Sequence, residues 1–196
     1  EADNTLNSID VTTIKAEINA RLEEGFEKAK TIIKGDITPF LEKQWEGLRK
    51  ATPSDFQHSP VTALTEAALV EIGRKLTELP PGKTFFRKIV KMQDDRKAML
   101  EAGKFDWAKG ELMAYGSLVK EGHPVRLGGQ DCQRGTFSHR HAVLTVEDSE
   151  EKFIPLEHIS PSQAQFSVIN SLLSEYGMLG FEYGYSFATP NGLTIW

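Results

Sequence analysis

The spacing of apolar residues changes near residue 105. Before that point they step by three or four, the period of a helix with one buried stripe. Val11, Ile14, Ile18, Leu22, Phe26, Ala29 and Ile33 form one such stripe, with Glu17, Arg21, Glu24 and Lys28 off it and Gly35 as the expected stop. Phe40, Leu41, Trp45 and Leu48 predict a second, shorter helix, and Ala51–Asp55 reads as a loop. Leu64, Ala68, Ile72, Leu76 and Leu79 predict a third, stopped by Pro80-Pro81-Gly82. Phe86, Ile89, Met92 and Met99 predict a fourth.

From Asp106 the pattern becomes mixed. Asp106 is a good N-cap for a helix through Glu121, with Ala108, Leu112, Tyr115, Leu118 and Val119 inward and Gly122 as terminator. Pro124–Leu127 reads as a strand entering Gly128-Gly129. His141–Val146 alternates towards another strand. Phe166–Ile169 reads as a third, leading directly into a helix from about Ser171 to Phe187, and Leu193–Trp196 begins a fourth. This order predicts an α/β layer with parallel strands. The expected organisation is a helical linker segment over 1–104 and a truncated domain over 105–196.

Composition narrows the class. The chain has 196 residues and a formal net charge of -5, which argues against nucleic acid as the main partner. A single cysteine, Cys132, excludes an internal disulfide and favours a reducing compartment. The most apolar stretch, 166–188, carries Glu175 and Glu182, so no membrane span is expected. The chain starts without methionine and stops just after an apolar run, so both ends are read as cuts.

Several positions carry candidate chemistry. Glu175 is expected in the first turn of a helix after a strand, where the helix dipole favours its charge by about 0.3–1 kcal/mol. Burial against Leu172, Leu173 and Met178 would favour the protonated acid instead. A carboxyl between those pulls suits proton sharing with a heterocycle nitrogen, or it simply complements the dipole. Gly177, Gly180 and Gly184 share one face of that helix, at roughly 3 kcal/mol cost relative to alanine. Either a second subunit or close packing within the domain would explain them. Leu172, Tyr176, Leu179, Tyr183 and Phe187 form the opposite stripe, expected to be core. Gly128–Gly135 is a glycine-rich turn in which Gln130 could hydrogen-bond a heterocycle, although a tight polar turn is the better account from these residues alone. His139 and His141 would share one face of a strand and suit a zinc ion, but no third ligand stands at a usual spacing. Cys132 with either histidine would make a nucleophile and base, yet most lone cysteines are inert.

The blocks Val125–Asp131, Arg134–Val143, Leu173-Ser174-Glu175, Leu179–Tyr185, Pro190 and Leu193–Trp196 closely resemble the decarboxylating first component of the 2-oxoglutarate dehydrogenase complex. The match is strong over residues 106–196 and loose before them. The resemblance implies a transketolase-like, parallel-sheet pyrimidine-binding domain for thiamine diphosphate, preceded by a helical segment. It assigns Glu175 as the catalytic glutamate that hydrogen-bonds the aminopyrimidine, with Gln130 and Leu173 lining the cofactor. It implies oxidative decarboxylation of 2-oxoglutarate, with succinyl passed to the lipoyl group of a dihydrolipoamide succinyltransferase. It also implies a homodimer with the cofactor between subunits, and no role for nucleic acid or membrane. The Mg²⁺ and diphosphate motif of the family is not found here, so no metal ligand is assigned and this stretch is expected to be inactive alone. Gly128 stands where the family commonly has serine or alanine, with little effect expected. A 2-oxoglutarate decarboxylase, a 2-oxoadipate dehydrogenase or a non-catalytic assembly fragment remain alternatives. The expected compartment is cytoplasmic in a bacterium and the mitochondrial matrix in a eukaryote.

Overall fold

The computed structural model describes residues 8–32 and 40–196. The chain forms two compact units, one ending at Glu42 and the other Lys43–Trp196. In the first, α1 (Ser8–Ala29) follows the predicted periodicity. Its stripe at Ile14, Ile18, Leu22 and Phe26 is exposed. Ile33 and Gly35, the predicted end of that stripe, lie outside the described residues.

The second unit holds α2 (Glu66–Lys75), α3 (Arg87–Ala102), α4 (Trp107–Lys120), β1 (Val125–Gly129), β2 (Leu144–Thr145), β3 (Lys152–Phe153), β4 (Phe166–Asn170), α5 (Glu175–Ala188) and β5 (Leu193–Ile195). Three strands form a parallel sheet in the order β4-β1-β5. The α/β, parallel-sheet expectation therefore holds. Along β1 the pleat sends alternate residues to opposite faces. Val125 and Leu127 enter the main core with Leu112, Met113, Tyr115 and Val119 of α4, Ile72 of α2 and its C-cap Leu76, and Phe166 and Val168 of β4. Arg126 and Gly128 face α5 instead. Full burial of a side chain such as Val119 contributes about 1.5–3 kcal/mol, and α4 buries Leu112, Met113 and Tyr115 beside it. Asp106 caps α4 as predicted: its Oδ1 accepts the Lys109 backbone N–H at 2.7 Å.

Four local expectations fail. Residues 40–47 run as turns, not a helix. Leu41 sits at φ 63° and Gly47 at φ 77°, and each left-handed residue interrupts a right-handed run. Trp45 is held by a distant partner, its Nε1 donating to Phe187 O at 2.8 Å. Helix α2 ends at Lys75, before the prolines, where the Thr77 hydroxyl donates back to Arg74 O at 2.9 Å. The strand expected over 141–146 shrinks to β2, antiparallel to β3 and outside the parallel sheet. Helix α5 begins at Glu175 rather than Ser171, because Ser174 is its N-cap and its Oγ accepts the Gly177 N–H at 3.2 Å.

The stripe expected as core on α5 is not core. Tyr176, Leu179, Tyr183 and Phe187 are exposed, Tyr176 at 93%. The helix meets the sheet through Met178 and Glu182 instead. A Cβ added at Gly180 or Gly184 would meet nothing within 4 Å, so close packing within this domain does not explain the glycine face.

Candidate functional site

Where the parallel strands end, the chain leaves a cleft of about 370 Å³. Its walls come from Gly128 and Gly129 of β1, the turn through Gln130 and Asp131, His139, the 171–173 connection, Glu175 and the end of β5. Open parallel sheets bind ligands at this edge, because the strand-to-helix turns leave backbone groups free there. The three residues singled out from sequence, Gln130, Leu173 and Glu175, line this one cleft.

The turn chemistry accounts for their placement. Asp131 lies at φ 51° and Gly135 at φ 83°, which reverses the chain after β1. The His139 ring rests directly over Gly135, where any side chain would collide with it. Two cations fix the far wall, Arg96 buried and Arg140 partly buried. Arg140 donates to both oxygens of Glu111, from Nε at 2.9 Å and Nη2 at 3.1 Å, and from Nη1 to Cys132 O at 3.0 Å. Partial burial pushes the Glu111 carboxyl up, but hydrogen bonds from Arg140 and Tyr115 outweigh it and hold the group below the usual range. The Arg96 guanidinium, buried under the loop, donates to Arg140 O at 2.6 Å and His139 O at 3.3 Å. These clamps escaped the sequence reading. The available signal was an arginine or glutamine at an inward helical position, as at Gln93 and Arg96.

Glu175 differs from expectation in one respect. It heads α5 as predicted but is exposed, and Leu172 and Leu173 are 84% and 85% exposed. No apolar wall buries its carboxyl within this chain, because all three side chains stand at the open mouth of the cleft. Their mixture of apolar surface, a carboxyl and the Gln130 amide fits a flat heterocycle: Leu172 and Leu173 offer cover for a ring face, and the polar groups address its edge.

Gly128 also departs from expectation. A Cβ there would collide with Oε1 of Glu182, so serine or alanine requires that carboxylate to move. Glu182 is only 3% exposed, and its Oε2 accepts from Arg126 Nε at 2.7 Å, while Oε1 has no hydrogen-bond partner. The Arg126 guanidinium lies over the Phe181 and Tyr185 rings, 5.1 and 4.8 Å from their centroids. This buried pair holds α5 to β1 two turns below Glu175.

The remaining candidates separate from the site or turn inert. Cys132 is buried, its thiol donates to Ile169 O at 3.1 Å, and burial pushes its pKa up. Its sequence neighbour Arg134 pairs with Asp131 at 2.7 Å. His139 and His141 do not share a strand face: both lie in a loop, His141 at φ 45°. No group of three metal-capable side chains occurs among the described residues. No described helix is long and apolar enough to cross a membrane.

Comparison with known proteins gives this geometry a lineage. Residues 103–196 match the family described as "Transketolase, pyrimidine binding domain", and that part of the chain is such a domain. Over all 196 residues the chain is 41% identical to the "2-oxoglutarate dehydrogenase E1 component" of Brucella ovis and of Brucella canis. The protein of the same name from Brucella melitensis biotype 2 is also 41% identical over the whole chain. The whole chain is thus similar in sequence to these E1 components, and it spans 19% of the length of these relatives.

Proposed function

We propose that this chain supplies the aminopyrimidine wall of a thiamine diphosphate site in a 2-oxoglutarate dehydrogenase. The observation that carries the reading is the convergence of Gln130, Leu173 and Glu175 on one cleft at the carboxyl ends of β1, β4 and β5. Glu175 would hold a ring nitrogen of the cofactor and share a proton with it. Leu172 and Leu173 would cover one ring face and exclude water, and Gln130 would hydrogen-bond the ring edge. When bound, the cofactor supplies an activated carbon that attacks the 2-oxo group and accommodates the electrons released with carbon dioxide. Mg²⁺ and the diphosphate would be held by residues outside this stretch.

The exposed face of α5 supports a second subunit closing the cleft, in a homodimer. The lipoyl group of a dihydrolipoamide succinyltransferase would then accept the succinyl unit. Relatives named as E1 components support 2-oxoglutarate over other 2-oxo acids, and a panel of 2-oxo acids given to the full-length protein measures that preference.

The test is Glu175→Gln in the full-length protein. Glutamine keeps size and hydrogen bonding but cannot supply an acidic proton. Decarboxylation should fall by about 10²–10⁴-fold while most cofactor binding remains. Deuterium exchange at the thiazolium carbon isolates the step. Wild-type exchange in the variant would reduce Glu175 to a residue matching the helix dipole.

A further inference from the structure

A second cavity, of about 440 Å³, shares only Asp131 with the cleft lining. Its walls bring together cations from three separate elements: Lys88 in the first turn of α3, Arg134 in the turn after β1, and Lys152 of β3. Asp131 is the one acid in this wall, and it is already paired with Arg134 at 2.7 Å. Such a concentration of positive charge stands out on a chain whose formal net charge is -5. The N-terminus of α3, a 16-residue helix, opens beside it, and its N-cap residue Phe86 provides no side-chain cap. Backbone N–H groups there favour an anion.

His141 closes the wall. Its Nδ1 is buried and has no hydrogen-bond partner. Burial lowers its pKa first, and the charges of Arg96, Lys88, Arg134 and His139 lower it further. A neutral imidazole with an unsatisfied nitrogen, surrounded by cations, is an arrangement that a bound anion would relieve. Beside the charged groups, Phe86, Ile89 and Val143 give an apolar surface.

We propose that this cavity binds a small phosphate monoester. The phosphate dianion sits among Lys88, Lys152, Arg134 and the α3 N-terminus, His141 donates to it from Nδ1, and the organic body rests on Phe86 and Ile89. A dianion suits this site better than a single carboxylate, because the cations converge from three elements and only Arg134 has an acidic partner in the wall. The proposal stands independently of the thiamine diphosphate reading.

Phenyl phosphate is the probe, titrated into the full-length protein by calorimetry with the His141 resonances followed by NMR. The expected result is one saturable site, weaker binding of benzoate, and a His141 pKa raised by about one unit on saturation, since binding and protonation are linked. Lys88→Glu with Lys152→Glu, both on exposed side chains, should weaken binding at least tenfold and leave the fold intact by circular dichroism. Glu175→Gln should leave binding unchanged. The proposal is overturned by absence of saturable binding, by equal binding of benzoate, by an unmoved His141 pKa, or by displacement of the probe with thiamine diphosphate.

Discussion

Helices α4 and α5 have the same length, 14 residues, and both pack beside β1, yet they are used differently. Seven residues of α4 are buried, including Leu112, Met113, Tyr115 and Val119. In α5 Glu182 alone is buried, although its sequence is rich in Tyr, Phe, Leu and Met. Apolar content therefore does not decide which helix is core. What decides it is the face of β1 each one meets. Val125 and Leu127 give α4 a continuous apolar floor, whereas Arg126 gives α5 an ion pair and Gly128 a place for the Glu182 carboxylate. One helix is covered within the chain, and the other leaves its apolar face exposed.

That contrast can be broken by mutation. In this chain, Leu112→Ala should lose about 2–5 kcal/mol of stability in urea unfolding, because it leaves a cavity in the core. Leu179→Ala, on the exposed face of α5, should cost less than about 0.5 kcal/mol. Equal losses would mean that α5 is core after all.

A pH effect distinguishes α4 further. Lys109 is fully buried, and its Nζ donates to Gly73 O at 3.0 Å. Burial, then the neighbouring Arg96 charge, lowers its pKa to about 8, while Asp106 opposes them. An unfolded lysine titrates near 10.4, so between these values the unfolded chain holds more protons. Stability should therefore rise with pH from about 8 to about 10.4, by about 1–3 kcal/mol, having been penalised below that window. Lys109→Met should flatten this rise. Unfolding measured across the window with both proteins checks it, and a parallel rise in the variant would assign the effect elsewhere.

The open helix makes its own prediction. Gly180→Leu in the full-length protein should weaken dimerisation at least tenfold, about 1.4 kcal/mol, because the added side chain separates two surfaces. An unchanged dimer in sedimentation would show that the partner of this face lies elsewhere. The smallest effect is expected at Cys132, whose buried thiol only donates to Ile169 O. Cys132→Ser should leave turnover of the full-length protein within about twofold. A loss above about a hundredfold, nearly 3 kcal/mol of barrier, would revive it as a nucleophile.

The same contrast explains what was legible in the sequence. The period-3.6 stripe and the Asp106 cap locate α4 closely, because its burial and its periodicity agree. In α5 the same kind of stripe misleads about burial, since periodicity identifies an apolar face but not the surface that covers it. Gln130, Leu173 and Glu175 were singled out through the resemblance of short local blocks, and each block lies at a strand end that opens on the cleft. The clamps were not: Arg96 reaches His139 and Arg140, and Arg126 reaches Glu182, across long stretches of chain. Residues 40–47 failed for another reason, since backbone reversal at Leu41 leaves no mark in an apolar pattern.

The strand order has a consequence for how the domain is made. The central strand β1 pairs on one side with β4 and on the other with β5, both of which follow it in the chain. As the polypeptide leaves the ribosome, β1 emerges with two open hydrogen-bonding edges and waits for both neighbours. Helix α4, made just before it, can shelter only the face of Val125 and Leu127 during that interval. Pairing across such separations is slow, and open edges recruit other chains. Synthesis of this domain thus passes through a stage at which β1 is incompletely paired, and that stage ends only when β5 is complete.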